Sequence, residues 1–242
     1  MRQNPENGFK ALETFREFDQ SSKITIITKE KGPAYSRVLL PYCLRKKVNS
    51  NQLYIRDWAY YQKMKASVIE DTVTLVDFEK KEVILKNGNP LPYDRLLIAT
   101  GSKPVNPPIH GLKGPGVYNL WTLEDMRNIE AYFQEGKRVL VIGAAFISLQ
   151  AAWAAAQRKL KVSNQKTLEF DLIIVGAGIK PNIDFLKTAE LITGEGIQMN
   201  HKMETGIPDV YAAGDVAAGP FCFGKCHRTS TTPELYKERS LV

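Results

Sequence analysis

The sequence predicts an α/β fold built on a parallel sheet, with a small antiparallel meander added to it. Three observations lead there. Apolar, β-branched segments alternate with segments of helical period along most of the chain, as in a parallel sheet with crossover helices. Two of the apolar runs, Leu96-Leu97-Ile98 and Val210-Tyr211-Ala212, end abruptly in Thr100-Gly101 and Gly214-Asp215. Such endings suit strand tips that meet a ligand, since glycine lets backbone approach closely. Around Asn87-Gly88, a good turn signal, short apolar runs follow one another without helices between them.

Taken in order, Gly8 to Phe18 reads as a helix with Ala11, Leu12, Phe15 and Phe18 near one face. The β-branched run Lys23 to Thr28 is a buried strand ending at Lys29-Glu30. Trp58 to Lys65 is expected to be helical, and Val73–Asp77 and Val83–Leu85 are expected strands of a meander near residues 73–98. The Pro- and Gly-rich loop from Lys103 to Gly116 marks a boundary between two lobes. Thr122 caps a helix running to about Phe133. Val139 to Ile142 is a strand that enters Gly143-Ala144-Ala145-Phe146-Ile147-Ser148 and an Ala-rich helix through Arg158. Leu172 to Val175 is a further strand, broken just beyond by Gly176, Gly178 and Pro181.

Composition narrows the function classes. Hydrophobic residues at 43% and charged residues at 24% are globular values that argue against disorder. The net charge of +7 suits a phosphate-bearing ligand, but the basic residues are scattered, as on a solvated surface and not in a nucleic-acid-binding block. No apolar run approaches the roughly 20 residues that span a bilayer. Met1 to Asn7 has no apolar core of a signal peptide, and three cysteines that cannot all pair suit a reducing compartment, so a cytoplasmic location is expected.

Tyr93-Asp94-Arg95-Leu96-Leu97-Ile98-Ala99-Thr100-Gly101-Ser102 and Thr205-Gly206-Ile207-Pro208-Asp209-Val210-Tyr211-Ala212-Ala213-Gly214-Asp215 resemble the two internal flavin motifs of FAD-dependent pyridine-nucleotide oxidoreductases. The branch they are most similar to contains NADH oxidase, rubredoxin reductase and the nitrite reductase large subunit. The resemblance implies an FAD/NAD(P)-binding, Rossmann-like parallel sheet. The expected lobes are residues 1–110 for FAD, 111–184 for a reduced NAD(P) lobe, and 185–242 for the return to the FAD lobe and a divergent tail.

In that reading Asp215 places a carboxylate on a ribityl hydroxyl of FAD, and Thr100-Gly101 turns backbone against the cofactor. Tyr35-Ser36-Arg37 resembles a segment in which the Arg lies near the flavin nucleotide, where a guanidinium suits pyrophosphate; a plain surface Arg37 is the alternative. Glu30, an acidic residue after a strand and 22 positions beyond Gly8, is either a ribose ligand or a solvated carboxylate. Met1 to Asn7 offers neither the strand nor the first two glycines of a phosphate turn.

The Gly143 segment has the form G-x-A-x-x-S where a dinucleotide fold expects G-x-G-x-x-G, with Ala145 and Ser148 adding bulk and the helix dipole retained. By resemblance it is the NAD(P)H site. Gly176-Ala177-Gly178-Ile179-Lys180-Pro181-Asn182 resembles a Gly-x-x-Pro-Asn signature from the far end of that domain. Only 28 positions separate Gly143 from Asp171, and Ser163 to Lys166 breaks the strand begun at Leu160, so most of the second nucleotide domain is expected to be absent.

No side-chain catalytic acid or base is expected. Cys43 is read as buried and inert, and Cys222, Cys226 and His227 lack a fourth ligand for a metal site. Two functions stay open. One is an NAD(P)H oxidoreductase using FAD, delivering electrons to a small redox protein or oxygen. The other is a truncated, non-catalytic remnant acting as an interaction module or swapped homo-oligomer. Neither involves nucleic acid or membrane.

Overall fold

A computed structural model of the chain describes residues 6–162, 170–187, 191–193 and 196–219. The expected strand break at Ser163 to Lys166 and the Cys222, Cys226 and His227 trio lie outside the described residues. In chain order the elements are α1 (Glu6–Phe18), β1 (Ile24–Thr28), α2 (Leu40–Leu44), α3 (Trp58–Lys63), β2 (Ala66–Glu70), β3 (Val73–Asp77), β4 (Glu82–Leu85) and β5 (Pro90–Pro92). There follow β6 (Leu96–Ile98), β7 (Ser102–Pro104), β8 (Val117–Tyr118), α4 (Leu123–Ala131), β9 (Arg138–Ile142), α5 (Phe146–Gln157) and β10 (Lys161–Val162). The last are β11 (Leu172–Val175), β12 (Ile179–Pro181), β13 (Ile192–Thr193), β14 (Gly196–Gln198), β15 (Val210–Ala212) and β16 (Ala217–Ala218). The expected α/β class is observed.

Two compact units share these elements. The first unit comprises the described residues up to Glu70 together with Ser102–Lys180. Its main sheet has four parallel strands in the order β10-β9-β11-β8. The run Arg138–Ile142 is almost wholly apolar, as suits a central parallel strand, with Val139 buried in the core and Val141 packed against it. Leu172 pairs with Val139 and Val175 with Ile142, so β9 and β11 end level with each other. That alignment places Gly143 and Gly176 side by side.

The helices of this unit seat on one core. Leu123, Met126, Ile129 and Phe133 from α4 and the turn after it meet Leu40, Cys43 and Leu44 of α2. Ala151, Ala154 and Ala155 of α5 meet Val139, Leu172 and Ile174 of the sheet. Each Leu or Ile fully buried in this way contributes roughly 1.5–3 kcal/mol. The three alanines, all at 0% exposure, let α5 lie close to the strands. α4 starts where Thr122 accepts from Asp125 N–H while Asp125 returns a carboxylate to Thr122 N–H, a capping box. Among the described residues, β1 pairs in parallel with β2 alone.

The apolar face expected on α1 is displaced. Phe9 and Leu12 are buried, whereas Phe15 is 38% and Phe18 86% exposed. The place in the stripe expected for Phe15 belongs to Arg16, which is 5% exposed and donates to the carbonyls of Met64, Lys65 and Asp19. Those carbonyls lie at helix ends and lack helical partners, so a long cation there satisfies several acceptors at once.

The second unit comprises Asp71–Gly101 and the described residues from Pro181 on. β3, β4 and β5 form the expected antiparallel meander. β6 leaves the meander and pairs in parallel with β15, so the meander stops at residue 92 instead of reaching 98. The reason is the alternative edge that β15 offers, where each residue of β6 pairs with the one 114 positions downstream. β13, β14 and β16 make a third small sheet. Among the described residues, no helix is long and apolar enough to cross a membrane.

Candidate functional site

In the second unit, the register Leu96↔Val210, Tyr211↔Leu97 and Ala212↔Ile98 sets two strand tips side by side. Thr100-Gly101 follows one tip and Gly214-Asp215 the other, and because the strands are parallel both turns open at the same end. Ala213 N–H donates to Ile98 C=O at 3.0 Å and ties the tips together. Gly101 has φ +66° and Gly214 φ +79°, left-handed values that favour glycine. Nothing lies within 4 Å of a Cβ built on Gly101, so the space beside this turn is open. Thr100 Oγ1 donates to Asn182 C=O and Asn182 N–H to Gly101 C=O, each at 2.9 Å. Asn182, from the Pro-Asn signature, thus clasps the Thr-Gly turn. Ligands of open α/β sheets bind at such carboxyl ends of strands.

In the first unit, Gly143 has φ +113°, and a Cβ there would stand 2.2 Å from Gly176 C=O. A Cβ on Gly176 would stand 2.2 Å from Ser148 Oγ, which donates to Gly176 C=O at 3.2 Å. Ser148 is therefore accommodated by Gly176 rather than crowding the helix–strand contact. Gly176, read from sequence as a strand breaker and as the start of the stretch that resembles the Pro-Asn signature, is the residue that makes this possible. Ala145 is the N-cap of the 12-residue α5 and offers no capping side chain; Ser148 N–H turns back to Ala145 C=O, and the amides of Phe146 and Ile147 before it are ones that a helix start leaves without an internal partner. Donors so placed suit phosphate.

Gln150, one turn further along α5, is 9% exposed, and its Oε1 has no hydrogen-bond partner. An orphaned buried acceptor of this kind fits a bound group that carries a donor. Sequence reasoning passed over Gln150; a polar residue inside an otherwise uncharged helix was the available signal.

The third cluster, also in the first unit, surrounds Glu30. Its carboxylate accepts from the Tyr35 hydroxyl and the Arg37 guanidinium. Arg37 lies 5.5 Å from the Trp121 ring centroid, a cation–π contact. Tyr35 Oη in turn accepts from Leu123 N–H at 2.8 Å. Glu30 and Arg37, expected as separate candidates, are thus one ion pair. Two of a carboxylate's roughly four lone-pair positions are taken, so hydroxyl donors still fit.

Cys43 is 4% exposed in the core, and burial pushes its thiol pKa up, which keeps it protonated and unreactive. Among the described residues, no group of three or more His, Cys, Asp or Glu side chains is placed to hold a metal.

Parallel strands that end in glycine turns, one of them leading into a helix start, are the framework of a dinucleotide-binding α/β fold. The family model for pyridine nucleotide-disulphide oxidoreductases matches residues 7–164 and 157–238, and the chain belongs to this family. NADH oxidase of Methanocaldococcus jannaschii is 29% identical over 270 residues, covering 86% of this chain and 60% of its own. NADH-rubredoxin oxidoreductase of Clostridium acetobutylicum is 26% identical over 235 residues, covering 80% of this chain and 62% of its own. The crystal structure of a ferredoxin reductase from Rhodopseudomonas palustris superposes with a TM-score of 0.82 at 24% identity, covering 90% of this chain and 68% of that one, a likeness of fold.

The chain spans about 60% of the first of these relatives. The alignment to NADH oxidase is longer than the 242-residue chain, so that relative carries residues without a counterpart here. The family match changes from one stretch to the next at residues 157–164, where the shortened second nucleotide domain was expected.

Proposed function

We propose that this chain binds FAD and NAD(P)H and carries reducing equivalents from the nicotinamide nucleotide to a small redox protein or to oxygen. The observation that carries the reading is the β6–β15 pairing, which joins Thr100-Gly101 to Gly214-Asp215 at one strand end. Asp215 would accept from ribityl hydroxyls, and the Gly101 turn would leave room for the ring system. Glu30 would accept from an adenosine ribose hydroxyl, with Arg37 beside it to offset phosphate charge. At the NAD(P)H site the first amides of α5 would hold phosphate, and Gln150 Oε1 would accept from a donor on the bound nucleotide. A bound flavin supplies the hydride and electron chemistry, so the side chains need only bind and orient. The proposed lobes are those expected from the sequence, 1–110, 111–184 and 185–242, and a cytoplasmic setting belongs to the proposal.

One observation favours a second reading. From β9 up to β11, the described residues make a single strand–helix–strand passage, β9-α5-β10, which is less than a dinucleotide half. Such a chain would be a non-catalytic remnant acting as an interaction module or homo-oligomer.

An absorbance spectrum of the purified chain, taken after adding FAD and removing the excess by gel filtration, separates the two. A retained flavin band bleached by NADH or NADPH supports the reductase. A colourless, monodisperse protein sinks it and leaves the remnant.

A further inference from the structure

The Glu30 cluster contains a residue whose placement goes beyond ion pairing. Tyr35 is 6% exposed, and its ring belongs to the main core of the first unit. Its hydroxyl makes two bonds of opposite sense, donating to Glu30 and accepting Leu123 N–H. Leu123 is the first residue of α4, so its amide is one of the donors that a helix leaves without an internal partner. The Thr122–Asp125 capping box fixes the direction of that first turn. Burial and the neighbouring Glu30 carboxylate push the Tyr35 phenol pKa far up, so the hydroxyl keeps its proton and remains a donor.

Tyr35 and Arg37 hold different oxygens of Glu30, Oε2 and Oε1 respectively. Two donors on two oxygens fix the plane of a carboxylate, and with it the direction of the lone pairs left over. We propose that Tyr35 is a positioning residue for the nucleotide site: its hydroxyl sets the Glu30 carboxylate for ribose hydroxyls and ties it to the N-terminus of α4. The inference rests on the FAD reading above and assigns Glu30 to the adenosine ribose. It further implies that ligand binding at Glu30 is felt at α4, since one hydroxyl serves both. Polarised hydrogen-bond chains of this kind strengthen together.

The experiment compares FAD with an analogue lacking the 2′- and 3′-hydroxyls of the adenosine ribose, by equilibrium binding to the full chain. Wild type is expected to prefer FAD by about tenfold or more, the worth of one hydrogen bond to a charged acceptor. Tyr35→Phe keeps the ring and loses the hydroxyl, and the preference should fall about threefold or more. Glu30→Gln should lower it as well, and adding Tyr35→Phe to that variant should change little, since Tyr35 acts through Glu30. A purely structural role would shift both affinities by the same factor and leave the ratio unchanged, which overturns the proposal.

Should Tyr35→Phe fail to fold, hydrogen exchange on the wild-type chain decides. The Leu123 amide should be better protected with FAD bound, and an unchanged rate refutes the coupling. FAD binding without discrimination against the analogue overturns the Tyr35 inference alone. A chain that binds neither ligand overturns the FAD reading and this inference with it.

Discussion

Gly143 and Gly101 each end a parallel strand and each have a left-handed φ, +113° and +66°, yet they are glycine for different reasons. At Gly143 the neighbouring strand ends level with it, and a side chain would run into Gly176 C=O at 2.2 Å. At Gly101 no atom lies within 4 Å of the missing Cβ. The first glycine is demanded by the protein's own packing; the second is demanded by its backbone angle and leaves a space that the protein does not fill. A strand-ending glycine in a sequence therefore does not by itself report a ligand. Which kind it is depends on whether the adjacent strand stops at the same level, and that is a tertiary fact.

The sharpest way to break this contrast is to add a methyl group at each position. Gly143→Ala meets backbone on a neighbouring strand and adopts an unfavourable φ, so a loss of about 3 kcal/mol or more is expected. A urea midpoint close to wild type would show that β9 and β11 are not packed as described.

Gly176→Ala comes next, at about 1–3 kcal/mol, because its methyl group strikes Ser148 Oγ, which is a side-chain atom. Ser148→Ala removes that oxygen, so the double variant should be more stable than the sum of the single effects. Strict additivity in denaturant titrations would mean that Ser148 and Gly176 do not share the contact.

Gly101→Ala should cost only about 1 kcal/mol, from its backbone angle alone. Its larger effect is expected on retained flavin, where the new methyl group enters the open space. Asp215→Asn keeps the shape of a half-buried side chain, so it should cost less stability than Gly143→Ala and still weaken flavin retention. A stability loss in Gly101→Ala as large as that of Gly143→Ala, with flavin retention unaffected, would reverse the assignment of the two glycines.

Legibility followed the same division. Val139–Ile142 and Leu172–Val175 were visible as strands because their apolar runs are continuous, and α4 was visible because Thr122 caps it. β2 was missed, since Ala66-Ser67-Val68-Ile69-Glu70 starts two residues after α3 and lacks a turn signal of its own. α2 was missed because five residues containing Pro41 carry no period. The face of α1 was misplaced because hydrophobic periodicity gives no weight to an arginine whose charge is satisfied by distant carbonyls. In the candidate sites, Thr100-Gly101, Gly143 and Asp215 were legible as motifs by resemblance. Gln150 was not, and the contacts of Tyr35 with Leu123 and of Gly176 with Ser148 were not, since each joins residues distant in sequence.

The smallest expected effect tests whether the two units differ in electrostatics as they do in packing. In the first unit Glu13 accepts from Lys10, Arg56 and Tyr60, each at 2.9 Å, and these donors lower its pKa from 4.5 to about 2. In the second unit Asp209 has Lys81 at 2.7 Å as its main partner, which also lowers its pKa. A carboxylate with a depressed folded pKa contributes stability that is present above its unfolded value and lost as pH falls through the folded one. Wild-type melting temperature should therefore drop between about pH 5 and 2, and Glu13→Gln should flatten that limb more than Asp209→Asn does. Both carboxylates are partly exposed, so the differences should also shrink as salt is raised. Identical acid limbs in wild type and Glu13→Gln would mean that the three-donor network joining α1 to α3 opens in solution, leaving Phe9, Leu12 and Arg16 to hold α1 in place.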